Sequence, residues 1–331
     1  MTARSGRSLV AGIDVGGTKV LAVVIDPAEP ATVLAVSEVP TPVGQGADRL
    51  FDAIEDVSRQ VASAVEIAPT GVGLGLPGLV DRDGVLRYGP HLPGLINVDL
   101  GGRLSRQLQV PVSVDNDGHC AARAEAFCGG GQGHGAVLFV GLGTGISCGM
   151  VINGELFRGG HGFAGEPGHF VIDSAGPRCA CGRVGCWETL ASGSGLAYLA
   201  NQAVPSAASG SNGPLTGEDV TAAWLAGQVW AGSVVETFSG WVARGLAVLV
   251  SVVDPSVIVL GGTMAELGEP LLVPIRRRLA TEVFRPSERG GPLLVAAELG
   301  RRAGAIGAAL GITARGTRPE PIMPGATRGH G

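Results

Sequence analysis

Short apolar runs alternate with longer stretches rich in alanine and leucine along most of the chain. The short runs predict strands at residues 9–13, 20–25, 72–76, 110–114, 136–140 and 257–260. The longer stretches predict helices at residues 49–65, 118–128, 237–253, 267–283 and 303–312. Because strands and helices alternate, the sequence favours an α/β fold whose sheets carry helices on their faces.

One pattern occurs twice in the chain. Residues 9–26 consist of an apolar strand, the turn DVGGTK and a second apolar strand, and residues 136–154 consist of an apolar strand, the turn GLGTGI and a more polar strand. The two glycine turns lie about 127 residues apart, which is close to the length of a domain. We therefore expect two tandem domains whose glycine turns face each other across a cleft. Two unrelated hairpins in a glycine-rich chain are the alternative.

Composition narrows the class of protein. The 331 residues are 45% hydrophobic and 16% charged, which is enough apolar material to bury a large core. The net charge of −5 argues against a nucleic-acid-binding surface or a basic membrane anchor. The apolar run 245–253 is too short to span a bilayer, and the N-terminus reaches Asp14 too soon for a signal peptide. We expect a cytoplasmic protein with no membrane or nucleic-acid partner.

The turn DVGGTK has features of a phosphate-binding loop, although it lacks the spacing of a Walker A motif. The backbone N–H groups of Gly16 and Gly17 can approach phosphate oxygens closely, and Thr18 adds a hydroxyl. Asp14 offers a carboxylate to a Mg²⁺ ion or to its waters. A plain hairpin turn also explains the glycines, but it does not explain why Lys19 is the only lysine beside 23 arginines.

Other glycine patterns are less specific. The turn Gly143, Thr144 and Gly145 resembles the first turn, and Gly261–Gly262 end a strand before a predicted helix, which suits a nucleotide. Ordinary loops explain both equally well. A G-x-G-x-x-G pattern at residues 73–78, with Asp99 in place for a ribose, is rejected as a dinucleotide site, because a turn-rich, proline-broken segment follows it instead of a helix.

Asn116 and Asp117 stand between a predicted strand and an alanine-rich helix. Both residue types are preferred helix N-caps, and capping alone would account for them. Alternatively, Asp117 is a general base and Asn116 hydrogen-bonds a hydroxylated ligand. These residues by themselves leave the two interpretations open.

The segment GEPGHFVIDSAGPRCACGRVGCWE predicts a metal site. Its cysteines follow the pattern C-x-C-x₄-C, and a histidine precedes them by ten residues, so the predicted ligands are His169, Cys179, Cys181 and Cys186. Three thiolates and one imidazole form a closed tetrahedral set, which is the composition of structural zinc sites. Three reduced cysteines beside an unrelated histidine are the alternative. A zinc ion here would fix the loop that carries Glu166 and Glu188.

Together these motifs resemble the ROK family of repressors, open reading frames and sugar kinases, from about residue 10 to residue 312. The matching segments are DVGGTK, LPG at 76–78, the Asn-Asp pair, GLGTG, AGEPGH at 164–169, the cysteine run at 179–188 and the late VLGG. The cysteine run with its histidine is the most specific of them. Two positions depart from the family pattern: Gly118–His119 stands where Ala-Asn is usual, and Pro167 stands where an apolar residue is usual.

The resemblance implies the actin-like ATPase fold, in which two α/β domains flank a cleft. Residues 1–117 would form a small N-terminal domain, joined by the C-terminal helix near residues 300–312. Residues 118–300 would form a large domain with the zinc loop, and residues 313–331 a flexible tail. The resemblance also implies a homodimer or a higher homo-oligomer.

Roles for individual residues also follow from the resemblance. Asp117 would be the catalytic base, and His169 would offer one ring nitrogen to zinc and the other to the sugar. The residues that would bind or line the sugar are Gly78, Asn97, Asn116, Asp117, Glu166, His169 and Glu188. The residues that would bind ATP are Asp14, Gly16, Gly17, Thr18, Lys19, Gly143, Thr144, Gly145, Gly261 and Gly262.

The function implied by the resemblance is phosphoryl transfer from ATP, with Mg²⁺, to the 6-hydroxyl of glucose, with zinc in a structural role. The expected partners are therefore ATP and a hexose. Kinases for N-acetylmannosamine, N-acetylglucosamine or fructose are the alternatives within the family. A sugar-responsive ROK regulator is a remote alternative, because only eight residues precede Leu9, which is too few for a DNA-binding domain.

Overall fold

The structure is a computed structural model that describes residues 8–89, 92, 94–204, 213–289 and 291–315. Strands and helices alternate along these residues. The strands are β1 (Val10–Val15), β2 (Lys19–Ile25), β3 (Val33–Pro40), β4 (Val72–Leu76), β5 (Leu79–Val80), β6 (Leu86–Tyr88), β7 (Val112–Asn116), β8 (Ala136–Leu142), β9 (Ile146–Ile152), β10 (Glu155–Leu156), β11 (Val257–Gly261) and β12 (Leu293–Ala296). The helices are α1 (Ala47–Ser63), α2 (Leu100–Leu108), α3 (Asp117–Cys128), α4 (Glu188–Ala191), α5 (Gly193–Ala203), α6 (Gly217–Leu225), α7 (Val229–Val253), α8 (Glu269–Glu282), α9 (Pro286–Arg289) and α10 (Ala303–Arg315). Short 3₁₀ helices lie at Pro167–His169, Thr263–Leu267 and Gly300–Arg302.

Two five-stranded sheets share one strand order. The first sheet has the order β3-β2-β1-β4-β7, and the second has the order β10-β9-β8-β11-β12. In each sheet the first three strands pair antiparallel and the last two add parallel pairs. DVGGTK forms the turn between β1 and β2, and GLGTG forms the turn between β8 and β9. The internal repeat predicted from these two turns is therefore confirmed in the topology.

The predicted strands and helices correspond to observed elements whose ends differ by at most three residues, with one exception. The exception is α7, which begins at Val229 instead of residue 237. Its first two turns contain a glycine, a serine and β-branched valines, so their helical propensity is weak, and burial of Ala231 and Val234 stabilises them. The sequence does not predict several further elements. Among them are β3, whose residues are mostly half-exposed, and α2, which contains two glycines. Helices α5 and α6 and strand β12 are also not predicted.

Helices α3 and α10 lie between the two sheets. Their alanines, including Ala121 on α3 and Ala305 on α10, share one buried cluster with valines of β2, β8 and β11. Small side chains are required because each helix packs against β-strand backbone on at least one side. This layer brings the first residues of α3, and thus Asp117, to the region between the sheets.

The glycines of β1 and β4 allow α10 to approach the first sheet. A Cβ atom at Gly12 would lie 1.9 Å from the carbonyl oxygen of Ala305, and one at Gly73 would lie 1.7 Å from that of Ala308. Gly73 belongs to the G-x-G-x-x-G pattern, and β5 rather than a helix follows that pattern. Gly73 therefore serves helix packing, and the pattern lacks the helix that a dinucleotide site needs.

Helices cover the outer face of each sheet and form a separate hydrophobic core with it. Helices α1 and α2 cover the first sheet, and α5, α7 and α8 pack with the second. Helix α7 has the length and composition of a membrane-crossing helix, but 61% of its apolar window is buried within the protein. Its residues Phe238, Val242 and Leu246 are fully buried in the core of the second sheet. We therefore interpret α7 as a core helix.

The C-terminal helix packs against β1, β4 and α3. It continues to Arg315, three residues past the predicted end and into the segment predicted to be flexible, since neither proline nor glycine interrupts residues 312–315. Residues 316–331 of that predicted tail lie outside the described residues. The domain limits at residues 117 and 300 stay predictions.

Candidate active site

A cleft of about 600 Å³ lies between the two glycine turns. The predicted site residues that line it are Asp14, Gly16, Thr18, Lys19, Gly78, Asn116, Asp117, Gly143, Thr144, Gly145, Glu166, His169, Glu188 and Gly262. They come from the β1–β2 and β8–β9 turns, from the ends of β4, β7 and β11, and from the segments on either side of the cysteine run. The tertiary structure therefore brings most of the predicted residues into one site.

Three residues of the described chain that were predicted to bind the sugar or ATP do not line the cleft: Gly17, Asn97 and Gly261. Gly17 is exposed in the β1–β2 turn, and Gly261 lies against the ring of Phe139. Asn97 is exposed and has a left-handed backbone conformation with φ of 56°. Its side-chain oxygen accepts a hydrogen bond of 3.1 Å from Arg87, so this geometry does not support the predicted contact of Asn97 with the sugar.

Strand β7 ends at Asn116, and helix α3 begins at Asp117. The Oδ1 atom of Asn116 accepts a hydrogen bond of 3.0 Å from the N–H of His119, and its Nδ2 donates to the carbonyl of Gly78 at 3.0 Å. Asn116 is therefore a helix N-cap that also lines the cleft. Asp117 lies one residue beyond the cap, and its Oδ1 accepts a bond of 2.7 Å from the N–H of Gly118. Capping thus accounts for Asn116 but not for Asp117.

Five carboxyl groups line the cleft: Asp14, Asp117, Glu166, Glu188 and Glu266. Burial, and secondly the charge of Asp117, raises the pKa of Asp14 from 3.8 to about 7. Burial and Asp117 also raise the pKa of Glu166 to about 7; His119 opposes this shift and Glu188 adds to it. Carboxylates crowded in this way are stabilised by a cation or by hydrogen-bond donors, so the cleft suits a polyhydroxylated ligand accompanied by a cation.

The segment after the cysteine run supports the second glycine turn. Glu188, the first residue of α4, accepts a hydrogen bond of 2.9 Å from the N–H of Ile146. The N–H of Gly193 and the hydroxyl of Ser194 each donate to carbonyls of the turn 143–145 at 2.7 Å. Glu188 therefore has a structural partner in the turn in addition to its place in the cleft.

The four predicted metal ligands converge. One ligand atom from each of His169, Cys179, Cys181 and Cys186 lies within 4.8 Å of the other three. The Nδ1 atom of His169 is 3.6 Å from Sγ of Cys179, and Sγ of Cys181 is 3.6 Å from Sγ of Cys186. Metal–sulfur bonds of ~2.3 Å at tetrahedral angles would separate two sulfur atoms by ~3.8 Å. The cluster therefore has the size of a site for one metal ion.

The cysteine loop is anchored to the core at one end. Gly182 and Gly185 have φ values of 91° and 73°, so the loop takes two left-handed bends that favour glycine. Trp187 follows the last cysteine, is fully buried, and donates a hydrogen bond of 2.9 Å from Nε1 to the carbonyl of Trp241 on α7. Glu188 comes directly after this anchor, so the position of its backbone is tied to both the loop and the core.

Several residues that the sequence analysis did not predict also line the cleft, among them Pro77, Ser147, Thr263, Glu266, Arg301 and Gly304. Lys19 and Arg301 both lie 3.3 Å from Oε2 of Glu38, so the single lysine forms part of an ion-pair cluster beside the cleft. A Cβ atom at Gly304 would lie 2.6 Å from the carboxylate of Asp14, so α10 begins directly against Asp14. The only sequence signal for this side of the cleft is the pair of glycines in GRRAG at residues 300–304.

Replacing Asp14 with asparagine is expected to stabilise the ligand-free protein above pH 7. The pKa of Asp14 is about 7 in the folded protein against 3.8 for the ordinary side chain, so the folded state binds more protons between these values and its unfolding free energy falls as pH rises through them. The penalty is absent below about pH 4, complete above about pH 7, and removed by a neutral amide.

Thermal unfolding without nucleotide or Mg²⁺ measures this effect. The Tm of Asp14→Asn should exceed that of the wild type by several degrees at pH 8, and the difference should shrink at pH 4. Asp83→Asn, at an exposed position, is the matched control and should change the Tm at neither pH. An Asp14→Asn protein that is no more stable than the wild type at pH 8 would contradict the raised pKa.

The chain is similar in sequence and in fold to several known proteins. The chain matches the family model described as the ROK family over residues 10–314. It is 35% identical to the glucokinase of Streptomyces coelicolor, over 95% of this chain and 99% of that protein. It superposes on a ROK family glucokinase from Streptomyces griseus in complex with glucose and AMPPNP with a TM-score of 0.82 and 34% identity, covering 91% of this chain and 98% of that one. For the ROK hexokinase from Thermus thermophilus the TM-score is 0.75 and the identity 35%, over 91% and 97% of the two chains.

These similarities confirm the fold and the family predicted from the motifs. The paired sheets of equal strand order, with a cleft between their glycine turns, are the actin-like ATPase fold of the ROK sugar kinases. The family match extends from the first strand into the last helix and so includes both glycine turns and the cysteine run. The chain belongs to the ROK family.

Proposed function

We propose that the protein is an ATP-dependent glucokinase that transfers the γ-phosphoryl group of ATP to the 6-hydroxyl of glucose. The observation that carries the proposal is a single cleft in which Asp117, Glu166, His169 and Glu188 lie beside two glycine turns. The similarity to a glucokinase that binds glucose and AMPPNP supports the same pair of substrates for this chain.

The sugar is held by acceptors on one side of the cleft. Glu166 and Glu188 accept hydrogen bonds from neighbouring hydroxyls, and His169 contributes a ring nitrogen. Binding of several hydroxyls orients the ring so that one hydroxyl faces the phosphoryl donor. Asp117 then accepts the proton of that hydroxyl as the new P–O bond forms, a role worth ~10²–10⁴-fold in rate.

The nucleotide lies between the glycine turns. Backbone N–H groups of the turns 14–19 and 143–145, with the hydroxyl of Thr18, donate hydrogen bonds to phosphate oxygens. Gly262 lies at the adenosine end of this arrangement. When bound with ATP, Mg²⁺ neutralises charge on the phosphates. Asp14 is the side chain that would hold this ion or its waters, which agrees with its crowded, partly buried carboxyl.

We assign zinc to the Cys₃His cluster. Three thiolates and one imidazole are the donor set that zinc prefers, whereas Mg²⁺ and Ca²⁺ prefer oxygen. With four protein ligands the ion has no open position, so its role is structural. If Nδ1 of His169 binds the ion, Nε2 is the nitrogen left for the sugar. The ion would thus fix His169 and, through Glu188, the turn 143–145.

Glucose is expected to be preferred over N-acetylmannosamine. The segment near Glu166 contains three glycines, Gly160, Gly162 and Gly165. A Cβ atom at Gly162 would be 2.8 Å from the carbonyl of Val80, and one at Gly165 would be 2.7 Å from that of Cys148, whereas one at Gly160 would meet no other atom within 4 Å. Gly162 and Gly165 therefore serve loop packing, and only Gly160 borders open space. Sites that bind hydroxyls strongly discriminate against analogues that leave buried polar groups unpaired.

A coupled assay of ADP release with a panel of hexoses and N-acetylhexosamines tests both the function and the sugar. We expect kcat/KM to be highest for glucose. A tenfold preference for an N-acetylated sugar, ~1.4 kcal/mol of transition-state binding, would overturn the choice of glucose and leave the kinase assignment intact. No ADP release with any sugar would overturn the proposed function itself.

A homodimeric state and a cytoplasmic location stay predictions, as does the absence of a nucleic-acid partner. Size-exclusion chromatography with light scattering would test the oligomeric state directly. The same sample, if it elutes without bound nucleic acid and without detergent, would test the expected lack of nucleic-acid and membrane partners.

A further inference from the structure

His119 is a buried histidine that links two parts of the cleft. It is the third residue of α3 and only 1% of its surface is exposed. Its Nδ1 lies 3.1 Å from Oδ1 of Asp115, and its Nε2 lies 2.6 Å from the carbonyl oxygen of Ala164. A carboxylate and a carbonyl oxygen are both hydrogen-bond acceptors, and each is within reach of one nitrogen of the ring.

The side chain of Asp115, which contacts His119, is itself held in place by two arginines. Its second oxygen accepts hydrogen bonds of 2.7 Å from Arg123 and from Arg158. Burial alone would raise the pKa of Asp115, but the hydrogen bond from His119 and the charges of the two arginines outweigh burial and hold the pKa well below its usual range. Arg123 also donates to the carbonyl of Gly307 on α10 at 2.7 Å. The carboxylate is therefore ionised and attached to the helical layer between the sheets.

The segment from Arg158 to Glu166 is hydrogen-bonded to Asp115 near its first end and to His119 near its second. The side chain of Arg158 bonds Asp115, and the N–H of Ala164 donates to the carbonyl of Arg158 at 3.2 Å. The carbonyl of Ala164 accepts from His119. Only Gly165, with φ of 97°, separates Ala164 from Glu166, so a fixed Ala164 carbonyl restricts where the Glu166 side chain can lie.

We propose that His119 is a positioning residue for glucose binding: its ring joins the Asp115 carboxylate to the Ala164 carbonyl and thereby holds Glu166 in the sugar side of the cleft. The inference rests on the proposed function, since it assigns to Glu166 a bond with the sugar. His119 touches neither substrate; it does not line the cleft. Its effect should therefore fall on glucose binding rather than on the chemical step or on ATP.

The test is the variant His119→Gln, whose side-chain amide has one donor nitrogen and cannot span both acceptors. We expect the KM for glucose to rise at least tenfold, with kcat within threefold and the KM for ATP within twofold of the wild type. His134→Gln makes the same chemical change at a half-exposed histidine outside the cleft and should alter none of the three constants. Equal changes in both KM values, or no change in the KM for glucose, would overturn the inference.

A double-mutant cycle with Glu166→Gln separates positioning from a general loss of packing. If His119 acts through Glu166, then His119→Gln should weaken glucose binding by less than twofold when Glu166 is already glutamine. Effects of the two changes that multiply in full would overturn the inference.

Folding failure would not end the test. If His119→Gln does not fold, Arg158→Gln releases the same segment from Asp115 through a side chain that is 20% exposed, and it should show the same selective rise in the KM for glucose. An unchanged KM in that variant would then count against the proposal. A wild-type protein that binds and phosphorylates no glucose would instead refute the proposed function, and the inference with it.

Discussion

Asp117→Asn is expected to lower kcat at least ~10²-fold while the protein stays folded, because an amide keeps the size of the carboxylate but cannot accept the proton of the sugar hydroxyl. Asp117 is the first residue of α3 and lines the cleft, whereas Asn116 provides the N-cap, so the substitution leaves the cap of the helix in place. Steady-state kinetics with glucose and ATP measure the loss, and circular dichroism with calorimetric glucose binding measures whether the fold and the sugar site survive.

The control for this prediction is Asp99→Asn. Asp99 is an aspartate at a helix N-terminus outside the cleft: it is the N-cap of α2 and accepts a hydrogen bond of 2.8 Å from the N–H of Gly102. It should retain normal kcat, since asparagine is also a good N-cap. An Asp117→Asn protein with near-normal turnover would mean that Asp117 contributes only to the start of the helix and that another group is the base.

The second large effect is expected on loss of the metal. We expect one zinc ion per chain, and Cys181→Ser should lower both the zinc content and the Tm, by about 5 °C or more, because binding of a structural zinc ion contributes directly to the folding free energy. Activity should fall as well, since the loop leads into Trp187 and Glu188, and Glu188 bonds the turn 143–145 through Ile146. Metal analysis, thermal unfolding and kinetics measure the three effects.

Cys128→Ser is the matched control for the metal site. Cys128 is a half-buried thiol at the end of α3 whose Sγ lies 3.4 Å from the carbonyl of Ala124, away from the cluster, so its replacement should leave the zinc content unchanged. Treatment with a strong chelator should reproduce the effect of Cys181→Ser in the wild type. Less than about half an equivalent of zinc in mildly purified wild-type protein would refute the assignment of zinc.

Short segments of the sequence were enough to predict the parts of the site that depend on neighbouring residues. The cysteine spacing predicted a metal cluster, because His169 and the three cysteines lie within 18 residues and a short glycine-containing loop can close around one ion. The glycine turns predicted the repeat, because a hairpin turn is determined by the residues in it and by the strands on either side. The α/β class followed from alternating periodicity, which is also a local property.

The position of Asn97 could not be predicted from the residues next to it in the chain. The resemblance placed it near the sugar, but its left-handed backbone and its bond with Arg87 leave it on the surface. Gly12 and Gly73 are a second example of what the sequence alone does not predict. Helix α10, more than 200 residues later in the chain, packs its backbone against them, and only this contact explains why both are glycine. No pattern of neighbouring residues encodes that contact.

The sequence by itself determined the α/β class, the family, the metal-ligand set and about half of the residues that line the cleft. Only the tertiary structure decided how these groups act on one another. Burial and Asp117 raise the pKa of Asp14 and Glu166. Asp115 is shared by His119 and Arg123 of α3 and by Arg158 from a separate segment. The physical reason is that helix and strand periodicity, turns and closely spaced metal ligands depend on residues close in the chain. Electrostatic coupling and burial depend on distances in space, which are set when α3 and α10 pack between the two sheets.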